Sequence, residues 1–272
     1  DATTNSLFKD YSAATKTATV AYGRHLQNLD SATSQVGLKQ KNETYDAIVV
    51  ENAIQDGDIS FMRDDSDPEC YHSYYGTAFT PILNNDLLSY KGNVTVDKGQ
   101  IIAVPAIKGL TIVSNKKNVG LFDTFHGTVE NLILTGTKVT GTASSNVGGL
   151  MGAAIGETTI RNVQLYLSEL QGDLQNARLP QGAAQDPSQV SPWLQGQNVG
   201  GLVGTFVNGS KLSIHNSSAS TVVSAENTAG GLVGRANRRV DIISSYSDSY
   251  LKGTTTGGLV GYAGSRAGIY LQ

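Results

Sequence analysis

Cysteine is nearly missing from this 272-residue chain. Cys70 stands alone, so no intrachain disulfide forms and no cysteine-rich zinc or iron–sulfur site is available. Trp193 is the single tryptophan, and charge is thin: 16% of residues are Asp, Glu, Lys or Arg, against roughly 25% in ordinary globular chains. Acids exceed bases by 23 to 20, a net charge of −3, which argues against a nucleic-acid surface and an electrostatic membrane anchor. No apolar run approaches the roughly 18 residues of a membrane span. The opening DATTNSLFKD has neither the basic start nor the apolar core of a signal peptide. The four histidines, His25, His72, His126 and His215, fall at no metal-binding spacing. What is abundant is glycine, with 31 copies, together with Ser, Thr and Asn between short runs of Val, Ile and Leu. That mixture points to many short strands joined by turns.

Internal repetition is the strongest signal. Four segments read Gly-Gly-Leu-(Val/Met)-Gly: Gly148, Gly149, Leu150 and Gly152; Gly200, Gly201, Leu202 and Gly204; Gly230, Gly231, Leu232 and Gly234; and Gly257, Gly258, Leu259 and Gly261. Val119-Gly120-Leu121-Phe122 is a degenerate first copy, and the leucine spacings are 29, 52, 30 and 27. The interval of 52 is one period plus an insertion at about 168–193, rich in Gln, Pro and Ala. A second element follows each motif, reading Val129-Glu130-Asn131, Ile160-Arg161-Asn162 and Ile214-His215-Asn216, with a weaker copy at Ile243-Ser244-Ser245. Each period of about 28 residues is then expected to hold two or three strands of three to five residues. Strands that short are unstable alone but stack on copies of themselves. The expected fold class is all-β: a parallel β-solenoid of about five coils. The paired glycines either supply positive φ at corners or let one coil approach the next closely. Asn131, Asn162 and Asn216, at one repeat position, are candidates for a stacked ladder.

The Gly-Gly-Leu-Val-Gly copies with their Ile-x-Asn elements resemble the GLUG-motif repeats of bacterial surface proteins. The likeness covers roughly residues 79–272. The stretch Arg24-His25-Leu26-Gln27-Asn28-Leu29 is similar to one that precedes such repeats in proteins of Gram-positive gut bacteria. The resemblance implies a secreted, cell-surface or cell-wall protein, adhesin-like and without catalytic activity. The long insertion and the degenerate first coil depart from the repeat pattern.

Residues 1–78 do not follow the repeat and are expected to form an N-terminal cap containing a short helix, with the repeats at 79–272. The helix is expected over Tyr22–Val36, where Leu26, Leu29 and Ala32 share a face. Ser12–Ala21 reads as a strand or an extension of that helix, and Asp46–Val50 and Asp58–Phe61 as strands. Phe79–Leu83 and Val94–Val96 are expected to lead into the solenoid, and Ile101–Val104 with Leu110–Val113 to build its first full coil.

Candidate chemistry is sparse. Asp64, Asp65, Asp67 and Glu69 place four carboxylates in six residues, a density that suits Ca2+, although the spacing is not that of an EF-hand; a solvated loop is the alternative. No other cofactor is expected. Asp123, Glu130, Glu157, Asp241 and Asp248 lie at unlike repeat positions, so stacking does not assemble a glycosidase or lyase pair. Trp193, at the end of the insertion, is a candidate to stack on a sugar or anchor a protein partner, or else folds back onto the flank. Tyr71, Tyr74 and Tyr75 form a second aromatic candidate. These residues point to a non-enzymatic protein binding a host glycan or surface protein through loops on a rigid scaffold. Self-association through solenoid ends, as in a pilus-like subunit, is the alternative. A carbohydrate-active enzyme ranks below both, and neither nucleic acid nor direct membrane insertion is expected.

Overall fold

The computed structural model describes residues 7–30, 48–62, 79–166 and 193–272. The expected residues Tyr71, Tyr74, Tyr75, Asp64, Asp65, Asp67 and Glu69, and all of the insertion but Trp193, lie outside them. The described residues are almost entirely β-structure, with one helix, Gly23–Gln27. The strands form a 15-stranded sheet, an 8-stranded sheet and a separate two-stranded hairpin.

Parallel pairing prevails, and its register follows the repeats. In the larger sheet Ala18, Ala53, Tyr90, Val129, Ile160, Ile214, Ile242 and Leu271 stand in successive register. All but Leu271 are buried. In the second sheet Val119, Val147, Val199, Ala229 and Thr256 do the same. The motif leucines join the two: Leu150 N–H donates to Leu202 O, Leu202 N–H to Leu232 O, and Leu232 N–H to Leu259 O. Leu121, Leu150, Leu202 and Leu232 are fully buried, giving one continuous core along the stack.

Gly148, Gly200, Gly230 and Gly257 are register partners. None of the motif glycines has positive φ. Close approach is the role observed. A Cβ on Gly201 would lie 2.2 Å from Gly231 O and 2.5 Å from the Ala219 Cβ.

The strands are longer than expected. Phe122–Thr135, Met151–Tyr166 and Val203–His215 run 14, 16 and 13 residues. In the first two, what reads in sequence as a gap between short strands is a bend inside one strand. Asn131 and Asn162 sit at these bends with φ of 58° and 52°, and Asn216 and Ser244, with φ of 48° and 49°, follow directly after the strands Val203–His215 and Arg239–Ile243. Asn tolerates the left-handed region better than most residues, so the turn is made without glycine.

Two expectations about the lead-in are corrected. Ile101–Val104 does not build a first coil. Gln100–Ala103 folds back antiparallel on Thr95–Asp97, around Lys98 and Gly99, both at positive φ, as a tight two-residue hairpin turn requires. Both hairpin strands are exposed, so their alternating Val and Ile face solvent instead of the core. The helix stops at Gln27, followed by a turn to Asp30. It has no side-chain N-cap and no acidic first turn, so little sustains it beyond the buried Leu26 and Leu29. Residues 31–36 lie outside the described residues.

Of the other lead-in strands, the expected Asp46–Val50 lies partly outside the described residues; residues 48–50 are not in a strand, and the strand begins later, at Asn52–Gln55. Phe79–Leu83 contributes only the bridge Ile82–Phe122. Thr17–Val20, Ile59–Ser60 and Thr111–Val113 are strands. Asp10–Ser12 pairs antiparallel with Thr17–Val20 and ends the larger sheet on that side. Gln27 ties the helix to the chain's re-entry, accepting from Thr80 N–H at 2.8 Å and donating to Thr80 O at 3.1 Å.

Candidate functional site

The insertion departs from one corner of the repeat. Thr135, Tyr166 and Ser220 are successive register partners at the end of one wall. Val139, Leu194 and Val223 are partners at the start of the next. One repeat crosses that corner with Gly136 and Thr137, another with Thr221 alone, whereas in the repeat between 26 residues of sequence separate Tyr166 from Trp193. The backbone at the return point is fixed: Trp193 N–H donates to Val222 O at 3.0 Å, and Val139 N–H donates to Trp193 O at 2.8 Å.

Two side-chain pairs flank this corner. The Lys138 ammonium lies 4.6 Å from the centroid of the half-buried Trp193 ring, a cation–π contact. Tyr166, at the departure point, donates its hydroxyl proton to Gln164 Oε1. Burial, helped by nearby Tyr246, pushes its phenol up to about 12, so it is a neutral donor at physiological pH. Tyr246 stands exposed one column away, where Gln164, Ser218 and Tyr246 are in successive register. A tyrosine–amide pair and a lysine–tryptophan pair thus stand at the two ends of the described chain on either side of residues 167–192, groups of the kind that hold a sugar or a peptide side chain.

The outward faces carry charge in ladders. Lys91, Glu130, Arg161 and His215 stand in successive register. Glu130 lies 3.3 Å from the Lys91 ammonium and 3.7 Å from Arg161. Glu157 faces Lys211 in register, and Asp241 faces Ser213. Asp241 receives both Arg239, at 2.9 and 3.1 Å, and Lys211, at 3.2 Å. The hydrogen bond from Arg239, with Lys211 adding to it, holds this carboxyl below the usual carboxylate range. Each of these three carboxylates has a cation or a hydroxyl-bearing residue as a register partner. Asp56 and Asp58 flank Gly57 at a turn with φ 83°; Asp56 pairs with Lys9, and Asp58 accepts from Ala106 N–H at 2.9 Å. Among the described residues no cluster of three or more His, Cys, Asp or Glu side chains is arranged to hold a metal.

Of the expected asparagine ladder, Asn162 donates to Asn131 Oδ1 at 2.9 Å, while Asn216 uses its backbone N–H on Ile243 O. A second ladder went unread. Asn146 donates to Asn118 Oδ1 at 2.9 Å, Asn198 to Asn146 Oδ1 at 2.8 Å, and the Thr228 hydroxyl to Asn198 Oδ1 at 2.9 Å. Its signal was present: Asn118, Asn146 and Asn198 each stand two residues before the first glycine of the motif.

No family model and no curated protein matches the chain. Among solved structures it is similar to one described as a "putative immunoglobulin A1 protease from Bacteroides ovatus", at 13% identity and a TM-score of 0.49, covering 97% of this chain and 80% of that one.

Proposed function

We propose that this chain is a parallel β-solenoid of about five coils, capped by residues 1–78, in a secreted or surface-displayed bacterial protein of the GLUG-repeat type. It acts without catalysis, as an adhesin-like scaffold that presents loops to a host glycan or surface protein. The observation that carries the reading is the register: parallel ladders advance by one repeat, and they stay in step although 26 extra residues of sequence lie between Tyr166 and Trp193. Such a scaffold holds its loops rigidly, and loops on rigid scaffolds are where binding concentrates. Trp193 with Lys138, Tyr166 and Gln164 forms the base of the contact surface. Among the described residues no two carboxylates are register partners, which favours binding over hydrolysis.

A second reading is head-to-tail assembly through solenoid ends as a structural, pilus-like or cell-wall subunit. Glycan-array and host-protein binding separates the two. The full chain is expected to bind, and a deletion of residues 170–190 or Trp193→Ala is expected to abolish binding with the circular dichroism spectrum unchanged. No binding by the full chain, together with concentration-dependent filaments, would replace the adhesin reading with the structural one.

A further inference from the structure

The second asparagine ladder runs in one direction and ends on a carboxylate. The Thr228 hydroxyl donates to Asn198, Asn198 to Asn146 and Asn146 to Asn118. Among the described residues no strand pairs with Asn118–Val119 on the side away from Asn146–Gly148, so Asn118 meets no earlier asparagine. Its amide donates instead to the Thr124 hydroxyl at 3.2 Å, and that hydroxyl donates to Asp123 Oδ1 at 2.9 Å.

Asp123 is also where the first copy departs from the repeat. It stands at the position that Gly152, Gly204 and Gly234 fill in later copies. A Cβ on those glycines would strike the repeat before: 2.2 Å from Val119 N at Gly152, 2.6 Å from Val147 N at Gly204 and 2.7 Å from Val199 C at Gly234. With no such strand ahead of it, position 123 has room for a side chain. An aspartate is rarely as buried as this one without a partner, and its side-chain partner here is the end of the ladder.

The far part of the ladder lies where register is hardest to hold. Leu194–Gly200 is the first strand after residues 167–192, and it reads LQGQNVG. Alternating apolar residues normally fix register, and polar or glycine-rich strands slip. Asn198 supplies what that pattern lacks. It is buried, in register with Asn146 and Thr228, and bonded to both. A slip of one residue would set Gln197 or Val199 opposite Asn146, and a slip of two would set Gly196 or Gly200 there. Either shift breaks the buried amide pair.

We propose that this ladder is a register lock for the strand that follows residues 167–192, and that Asp123, acting through Thr124, sets its direction. An asparagine amide both donates and accepts, so asparagines alone can stack either way; a carboxylate only accepts. With that acceptor fixed at one end, each amide turns its oxygen toward the next repeat. Aligned hydrogen bonds polarise one another, which carries the effect of Asp123 to Asn198. A buried asparagine fixes register in coiled coils by the same logic. Asp123 and Thr124 are therefore positioning residues.

The test uses the full chain with Asp123→Gly, Thr124→Val, Asn198→Ala and the Asp123→Gly/Asn198→Ala pair, followed by NMR and amide hydrogen exchange. Asp123→Gly supplies the residue of the later copies, so repeat similarity alone predicts no loss. The lock predicts that Asp123→Gly shifts the side-chain amide resonances of Asn146 and Asn198 as well as Asn118. Backbone amides of Leu194–Gly200 are expected to exchange about fivefold faster or more, as loss of a hydrogen bond implies, while Thr17–Val20, remote from the ladder, stays unchanged. Thr124→Val keeps the side chain's shape, removes only the hydroxyl, and is expected to do the same. The double variant is expected to exchange about as fast as Asn198→Ala alone. Shifts confined to Asn118, unchanged exchange along Leu194–Gly200, or additive effects in the double variant would overturn the proposal.

Discussion

Gly149, Gly201, Gly231 and Gly258 occupy one repeat position but not one environment. A Cβ on Gly231 would lie 1.9 Å from Gly258 O, whereas a Cβ on Gly258 would meet nothing within 4 Å. Gly201→Ala and Gly231→Ala are therefore expected to destabilise by about 1–3 kcal/mol or more, as overpacking does. Gly258→Ala is expected to be neutral or to stabilise by up to about 1 kcal/mol. Thermal or urea melts of the three variants check this. The buried asparagine ladder gives a second expectation. Asn198→Ala strands Thr228 and Asn146 and is expected to cost about 1–3 kcal/mol, read from the same melts. At Asp241 the sign of the pH effect follows from its lowered pKa. The carboxylate's stabilisation by Arg239 and Lys211 is present above the unfolded-state value near 4 and is lost as pH falls through the lower folded value. Wild-type and Asp241→Asn melting temperatures should therefore differ most near neutral pH and converge in acid. A gap that persists unchanged into strong acid would contradict this assignment.

Element by element, legibility depended on how often a pattern recurs. The parallel register was readable because Leu121, Leu150, Leu202 and Leu232 repeat one inward position in a fully buried column. The strand lengths were not, because Asn131 and Asn162 look like loop residues in sequence yet bend a strand without ending it. The Thr95–Asp97 and Gln100–Ala103 hairpin was misread as core because alternating Val and Ile are the same whether a strand is buried or stands in solvent; the Lys98-Gly99 pair was the usable cue. Replacing residues 94–104 with a short linker is expected to change stability by less than about 1 kcal/mol, measured by urea melts, since its strands bury nothing. At the corner, the insertion and Trp193 stood out in sequence. Lys138 did not, because it lies 55 positions earlier and meets the ring only once the insertion is skipped. The contacts of Arg235 with the Tyr262 ring, 5.3 Å to its centroid, and of Arg239 with the Tyr270 ring, 4.5 Å, were hidden for a related reason: each joins segments about one repeat apart.

For the whole molecule, the two ends differ. One side of the larger sheet is closed by the antiparallel strand Asp10–Ser12, which stops parallel stacking there. At the other end Val260–Ala263 and Ile269–Leu271 are edge strands of that sheet, with Tyr270 and Leu271 exposed. The proposed solenoid requires that chemically similar segments about one repeat apart lie side by side. Backbone NMR on labelled protein reads this directly. The account predicts inter-strand cross-peaks linking the Leu150, Leu202, Leu232 and Leu259 segments in sequence order, and linking Asn146 with Asn198 and Asn198 with Thr228. Cross-peaks that instead connect each motif to its own sequence neighbours in antiparallel hairpins would contradict it.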